Sequence, residues 1–236
     1  MSADGPAFYA RPGTVAGDVL AVLHLPYTAW HLSYVAIGAG LATSLDGTRL
    51  LGTLVAFLFG LGVGAHALDE AHGRPLRTRL PRWALLAMGM GGLGAAGAIA
   101  VVGAIVISPW VLAWAMAGIV LAAGYALERP AFLHGAAGFA AGWGAFPVLV
   151  GYWAQSETVA PAAVAAATAA AASALAQRQL STPARFVRRR TTSARAVFDR
   201  GESWSRQRLL RTWEDPLRSL SLAMPALAVA LVIRPR

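Results

Sequence analysis

The chain has 236 residues, of which 57% are hydrophobic and only 13% charged, and its formal net charge is +9. Soluble domains carry about 25% charged residues, so this composition excludes an ordinary soluble domain and predicts an integral membrane protein. The absence of cysteine excludes disulfides, thiolate metal sites and a cysteine nucleophile. The apolar residues come in blocks of about 20, the length that crosses a hydrocarbon layer as a helix. We therefore expect an all-α, multi-span helical bundle and not a barrel.

Residues 1–20 are polar without an apolar core, so we expect a cytoplasmic arm and not a signal peptide. Residues 21–177 are predicted to form a transmembrane bundle, and residues 217–236 a final transmembrane helix and tail. The apolar blocks predict about seven spans, at 24–44, 49–70, 83–107, 110–127, 131–153, 159–177 and 217–233.

A basic stretch, residues 178–216, separates the last two predicted spans. It contains three consecutive arginines at 188–190, with Trp204 and Trp213 further on. Arginines with tryptophans at intervals are typical of a helix that lies on an anionic membrane surface. A flexible cytoplasmic loop is the alternative.

The arginines also predict an orientation. All 20 basic residues are arginine, and with the N-terminus inside, 17 of them fall on the inner side, including Arg11. Only Arg49, Arg234 and Arg236 fall outside. The positive-inside rule explains this asymmetry. We therefore expect a multi-pass protein of the inner (cytoplasmic) membrane with a cytoplasmic N-terminus, a bilayer as its partner and no nucleic acid.

The first span carries two histidines among aromatic residues. His24 and His31 are seven residues apart and share a helix face with Tyr27, Trp30 and Tyr34 nearby. An interfacial aromatic belt with hydrogen bonds between helices explains this pattern. An aromatic wall that steadies a carbocation or stacks on an acceptor is the alternative.

Four candidate metal ligands end the second span, in the stretch GAHALDEAHGRPL at residues 64–76. On a helix, His66, Asp69 and Glu70 share a face and His72 lies on its flank. Two imidazoles and two carboxylates suit a divalent cation such as magnesium or manganese. The alternative is a set of polar residues at headgroup level, but His66 and Asp69 lie one turn deeper. Ionisable groups at that depth tend to face a cavity and carry function.

Two arginines follow this stretch directly. Arg74 and Arg77 could hold phosphate oxygens as bidentate donors. Marking the inner side of the membrane is their alternative role.

In its layout the chain resembles the UbiA-type membrane prenyltransferase superfamily over residues 20–180. The second span of that family ends in Asn-Asp-x-x-Asp-x-x-x-Asp before a basic loop with Arg-Pro-Leu; here AHALDEAHG precedes RPLRTRLP. The family's fourth span ends in a turn with a tyrosine and a basic residue, here YALERP, which contains Tyr125 and Arg129. Its glycine-rich fifth span is similar to LHGAAGFAAGWGAFPVLVGYWA.

The resemblance implies transfer of a prenyl group from its diphosphate to an acceptor, with Asp69 and His66 as catalytic residues. Arg74, Arg77, Tyr125 and Arg129 would then bind the diphosphate. The departures are specific: Ala65, His66 and Gly73 replace the motif's Asn and two of its three Asp, and only Asp69 is kept. The second Asp-rich motif is replaced by QRQLSTPARFVRRR, and seven spans stand against the family's nine.

Two functions remain open from the sequence. The first is a divergent UbiA-like prenyltransferase that acts on an isoprenoid or other lipid-linked substrate. The second is a non-catalytic membrane protein that retains the fold and binds a lipid or a partner protein, as the missing acids and the basic stretch suggest. A small transporter has less support, because the chain lacks paired broken helices in repeated halves.

Overall fold

The computed structural model of the chain describes residues 6–10 and 14–235. Arg11 and Arg236, which enter the orientation count, lie outside these residues. The fold is 78% helical, so the expected all-α class is confirmed. The helices are α1 (Val15–Val22), α2 (Leu25–Leu41), α3 (Gly47–Phe57), α4 (His66–Gly73), α5 (Arg82–Val106), α6 (Trp110–Ala126), α7 (Ala131–His134), α8 (Ala136–Phe139), α9 (Phe146–Ser156), α10 (Pro161–Arg190) and α11 (Arg206–Ile233).

Two π-helical segments interrupt the α-helical geometry. The first, π1 (Leu58–Ala65), joins α3 to α4, so that Gly47–Gly73 is one continuous helical stretch. The second, π2 (Ala140–Ala145), joins α8 to α9. π-Helical turns are rare in proteins, and those that occur are often found at functional sites. Both segments are rich in glycine, which lets neighbouring backbones approach closely.

Three helical stretches are long and apolar enough to cross a membrane, namely Gly47–Gly73, Arg82–Val106 and Arg206–Ile233. Helix α6 is apolar but shorter. Large apolar side chains on these helices are exposed, including Ile105 and Leu222, and exposed apolar surface on this scale favours a lipid environment. These features indicate a helical membrane protein.

The main core lies around α2, which packs against α9 on one side and α11 on the other. Trp30 and Tyr34 are fully buried there, and the Trp30 indole donates a hydrogen bond to Tyr34 Oη over 2.7 Å. The approach of α2 to α9 is close enough that a Cβ at Gly38 would lie 2.0 Å from the Val148 carbonyl oxygen. Glycine is therefore required at this crossing.

The structure does not set residues 178–216 apart from the bundle. Helix α10 continues to Arg190 and α11 already begins at Arg206; a short antiparallel hairpin, β1 (Arg195–Val197) with β2 (Ser203–Ser205), joins them. This stretch, which is described throughout, therefore consists of the end of α10, the hairpin and the start of α11. Alanine and arginine are strong helix formers, and buried Arg188 pairs with buried Glu214 to tie the two helices together. Helix α10 thus continues 13 residues past residue 177, the expected end of the sixth span.

Candidate functional site

One end of the bundle collects ionisable and aromatic side chains. It is the end where α4, α6 and α10 finish and α11 begins, and we call it the basic end. The side chains come from the N-terminal segment 6–10, the start of α2 with His24 before it, α4, α6, α7 and α10. We call the following set the polar cluster: Tyr9, His24, Tyr27, His66, Asp69, Tyr125, His134, Arg178, Arg185 and Arg189.

His66 lies in the cluster, stacked on a histidine of the first predicted span. The rings of His24 and His66 are 4.4 Å apart between centroids and inclined by 20°. His24 reaches this position because it precedes α2 in a left-handed conformation, with φ of 47°. His66 follows directly after π1, and its Nδ1 lies 3.3 Å from the Gly62 carbonyl oxygen. The sequence predicted His66 as a site residue but not this partner.

Asp69 faces the same cluster and is partly buried. The basic side chains near its carboxylate are those of His134, Arg185 and Arg189. Among the described residues, none forms a hydrogen bond or ion pair with this carboxylate. Asp69 is therefore available to a ligand or a proton.

Glu70 and His72 do not join His66 and Asp69. Glu70 is 1% exposed, and its carboxylate accepts hydrogen bonds from the Leu76 N–H and from the N–H and hydroxyl of Thr78, at 2.8–2.9 Å. His72 is exposed on the far flank of α4. Within the described residues, no group of three or more His, Asp or Glu side chains could hold a metal ion. The four predicted ligands therefore do not fit the magnesium or manganese that the resemblance implies.

The predicted phosphate-binding arginines of the loops lie outside the cluster. Arg74 instead holds its own loop, because its guanidinium donates to the carbonyls of Thr78 and Leu80 at 3.1 and 2.7 Å. Arg77 and Arg129 are exposed on loop surfaces. Of the predicted phosphate ligands only Tyr125 belongs to the cluster, where its ring stacks on His134 at 4.6 Å between centroids.

The arginines that do face the cluster come from the last part of α10, residues 178–190, which were expected from the sequence to lie outside the bundle. Arg178 donates to Tyr125 Oη at 3.1 Å and to the His134 carbonyl at 2.9 Å. Arg185 lies seven residues further along and Arg189 four beyond that, so all three share one helix face. The sequence contains this spacing of the arginines, but the spacing indicates a shared face only if the helix continues past residue 177.

The N-terminal segment 6–10 covers the cluster. The ring of Tyr9 lies 5.5 Å from His24 and 5.6 Å from Tyr27 between centroids. Arg189 donates to the Pro6 carbonyl at 3.2 Å, and Arg218 lies over the Phe8 ring at 5.2 Å. Burial, reinforced by Tyr27, raises the pKa of Tyr9, so its hydroxyl stays protonated as a donor. Beneath this segment the crevice has a volume of only about 10 Å³, roughly the room for one water molecule.

A much larger apolar cavity of about 280 Å³ lies between α3, π1, α5, α6, π2 and α9, and its lining includes the exposed side chains of Val102 and Val106. Glycines and aromatic rings line it, including Gly52, Gly142, Trp114, Trp143 and Phe146. Apart from the ends near Thr48 and Arg49, its walls are almost entirely apolar.

Trp143 belongs to both regions. Its indole lines the apolar cavity, and its ring lies 4.2 Å from that of Tyr125 in the polar cluster. Its carbonyl lies 2.9 Å from His31 Nδ1, which fixes π2 against α2. The cavity and the cluster are therefore neighbours along the bundle axis.

Comparisons of the chain with protein-family models, with curated proteins and with solved structures found no match. Function is therefore inferred from the site itself.

Proposed function

We propose that this chain is a divergent UbiA-like membrane prenyltransferase of the inner membrane, with seven spans and a cytoplasmic N-terminus. The observation that carries the proposal is the contact of the apolar cavity with the polar cluster at Trp143. An isoprenoid diphosphate has this division, with a long apolar chain and a strongly charged head. The layout of the sequence supports the same assignment.

In the proposed reaction, the bond between the prenyl C1 and the diphosphate oxygen breaks, and its electron pair leaves with the diphosphate. The acceptor atom forms the new bond to C1 and loses a proton. We assign that proton to Asp69, because no described residue binds its carboxylate. His66, one helical turn away, is the second acid–base group. Positive side chains near the leaving oxygens stabilise the charge that develops there.

Aromatic rings line the path between cavity and cluster. Tyr125, Phe139 and Trp143 contact one another with centroids 4.2–5.9 Å apart. Aromatic faces attract cations within about 6 Å of the ring centroid. They would stabilise positive charge on C1 and hold the acceptor away from water.

The test measures diphosphate release by the purified protein in nanodiscs, with prenyl diphosphates of increasing length and a panel of aromatic and lipid-phosphate acceptors. We expect Asp69→Asn to reduce turnover at least 100-fold and His66→Gln at least tenfold. The control is His72→Gln, an exposed histidine of the same helix, and it should leave turnover unchanged. If no donor and acceptor pair releases diphosphate, the proposed function is wrong.

The cavity has its own test. A side chain at Gly142 would enter the cavity, where its Cβ meets only Leu121 at 3.7 Å. We expect Gly142→Leu to raise KM at least tenfold for long donors and much less for dimethylallyl diphosphate. The matched control Gly94→Leu lies on the exposed side of α5, where a Cβ meets nothing within 4 Å. Equal effects of the two variants would contradict the role of the cavity.

A non-catalytic lipid-binding protein is the second candidate. The observation that favours it is the scatter of the predicted metal ligands, with Glu70 and His72 turned away from His66 and Asp69. Prenyl diphosphate binding that is sensitive to Gly142→Leu, without release of diphosphate, would establish this candidate.

A further inference from the structure

We propose that Arg178, Arg185 and Arg189 form a phosphate or diphosphate site that works without a divalent cation. This inference deepens the proposed function, since it rests on that function for the identity of the natural ligand. Its starting point is the disagreement between the resemblance, which implies metal-binding acids, and the side chains that the fold brings together.

The arginines stand where the resemblance leads one to expect acids. Residues 177–190, QRQLSTPARFVRRR, occupy the place of the second Asp-rich motif and contain no acid. Helix α10 carries them along the polar cluster, opposite Asp69 on α4. The protein therefore supplies positive charge at this place, where the family motif would supply negative charge. They can contact phosphate oxygens directly, whereas carboxylates need metal ions between them and the phosphate.

The described contacts leave these arginines without a carboxylate in a direct ion pair. Arg178 donates to a tyrosine hydroxyl and a carbonyl, Arg189 to the Pro6 carbonyl, and Arg185 to the Thr182 hydroxyl at 3.5 Å. Arg188 lines the same crevice as Arg185, and it pairs there with Glu214. The fold therefore matches an arginine with a carboxylate in one place and leaves the cluster arginines with neutral acceptors.

Electrostatics within the cluster favour an added anion. Arg185 and Arg189 repel each other, and the carboxylates that act on Arg189 are those of Asp69 and Glu70. Glu70 already accepts three hydrogen bonds from its own loop. An anion between Arg185 and Arg189 would replace repulsion by attraction on both sides.

The donors suit phosphate in particular. Guanidinium groups bind phosphate oxygens in a bidentate manner, and such charge-assisted pairs are about twice as strong as neutral hydrogen bonds. The Tyr9 and Tyr27 hydroxyls line the crevice beside Arg185 and add two neutral donors. The ligand is accordingly a phosphate or diphosphate monoester, free in solution or carried on a lipid.

Access requires movement of the N-terminal segment. The crevice beside Arg185 has a volume of about 10 Å³, which is too small for a phosphate. The contacts that close it are the Arg189 bond to the Pro6 carbonyl and the ring contacts of Tyr9. A phosphate that takes the Arg189 guanidinium would release Pro6, so binding and opening are coupled.

The experiment measures binding of inorganic diphosphate and of geranylgeranyl diphosphate to the full chain in nanodiscs, with EDTA and with magnesium chloride. We expect the Kd of each ligand to change less than twofold between the two buffers. Arg185→Gln should weaken both ligands at least tenfold, and Arg185→Lys should weaken them less. The control Arg200→Gln removes the same charge from an exposed residue of the hairpin and should leave Kd unchanged. A third arm, phosphatidic acid in the nanodisc as competitor, separates a lipid-borne phosphate from a free one.

Two results would overturn the inference: binding that disappears in EDTA, or equal Kd values for Arg185→Gln and Arg200→Gln. Failure of the proposed function looks different. Metal-independent binding that Arg185→Gln weakens, without turnover, would leave the anion site standing and remove prenyl transfer. Turnover that needs magnesium and ignores Arg185→Gln would do the reverse.

Discussion

Asp69 and Glu70 are adjacent acids with opposite roles. Consecutive positions on an α-helix point about 100° apart, so one carboxylate faces the polar cluster while the other turns toward the loop after α4. Glu70 accepts hydrogen bonds from Leu76 and Thr78 and organises that loop. A buried carboxylate with its lone pairs satisfied is a structural group, whereas Asp69 is open to a ligand.

The loop role of Glu70 leads to a stability prediction. Glu70→Gln replaces one acceptor oxygen by an N–H₂ group that faces other donors, and loss of a buried charged acceptor costs about 1–3 kcal/mol. We expect the Tm of the purified protein to fall by about 3–10 °C, measured by thermal unfolding in detergent. Glu202→Gln, an exposed glutamate of the hairpin, is the control and should not change Tm.

A metal-ligand role for Glu70 would give a different result. In that case magnesium would raise the Tm of the native chain, and Glu70→Gln would abolish the rise without lowering the Tm measured in EDTA. That outcome would contradict the structural role of Glu70.

The sequence indicated a cluster of ionisable residues at 64–76, but it did not show which of them face the polar cluster and which bind the following loop. Helical spacing correctly placed His66 and Asp69 toward one side. The same spacing predicted Glu70 on that side, because i, i+3 and i+4 share a face. In the structure its carboxylate instead accepts hydrogen bonds from Leu76 and Thr78 in the loop after α4. His24 could not be paired with His66 from sequence, since its ring position depends on a left-handed backbone before α2.

At the scale of elements, the crossing of α2 and α9 is the tightest contact in the core. A Cβ at Gly38 would meet the Val148 carbonyl oxygen at 2.0 Å, and one at Gly151 would meet the Val35 carbonyl oxygen at 2.1 Å. Each helix thus presents a glycine to the backbone of the other. Small residues that allow such approach are the usual means of helix association in membranes.

We therefore expect Gly38→Ala to destabilise the protein by about 1–3 kcal/mol or more, because the backbone that it meets cannot rotate away as a side chain can. The matched control is Gly94→Ala on α5, where a Cβ meets nothing within 4 Å; it should be neutral or slightly stabilising, since alanine is the better helix former. Thermal unfolding of both variants in the same detergent checks the difference. Equal Tm values for the two would show that the crossing is looser than the structure has it.

The N-terminal segment 6–10 is the element that closes the polar cluster. Phe8 holds it through Arg218, and Ser181, 6% exposed, lies beneath it beside the crevice. Because the chain has no cysteine, Ser181→Cys creates a single reporter thiol. We expect a maleimide to label it slowly, and at least tenfold faster when Phe8→Ala is added.

The control for this experiment is Ser193→Cys, an exposed position after α10, whose labelling rate should not respond to Phe8→Ala. If Ser181→Cys reacts as fast as Ser193→Cys before Phe8 is changed, segment 6–10 does not cover the site.

The elements themselves were predicted unevenly. Apolar blocks gave most helices to within a few residues, because burial in lipid demands long uninterrupted runs of apolar side chains. The two π-helical segments have no such signal in the sequence. They differ from an α-helix only in the spacing of their backbone hydrogen bonds, which is i to i+5. The end of α10 was missed for a different reason: hydropathy falls where its arginines begin, although helix propensity does not.

At the scale of the whole molecule, charge and apolar surface are segregated along the bundle axis. The loop between α4 and α5, the end of α10, the hairpin and the start of α11 carry most of the arginines. The loop after α2 lies at the opposite end beside Arg49 and Glu157. Positive residues are retained on the cytoplasmic side during insertion. The basic end, with the polar cluster, should then face the cytoplasm.

Thiol labelling from one side of the membrane tests this orientation. Ser44→Cys lies after α2 and Ser193→Cys lies after α10, both are exposed, and each is the only thiol in its variant. A membrane-impermeant maleimide applied to intact spheroplasts should label Ser44→Cys and leave Ser193→Cys unlabelled until the membrane is opened. Five helical stretches separate the two sites: α3 to α4, α5, α6, α7 to α9, and α10. If each stretch crosses the membrane once, the two sites lie on opposite sides. Labelling of both sites from one side would mean an even number of crossings, and it would remove the basis for placing the arginine site in the cytoplasm.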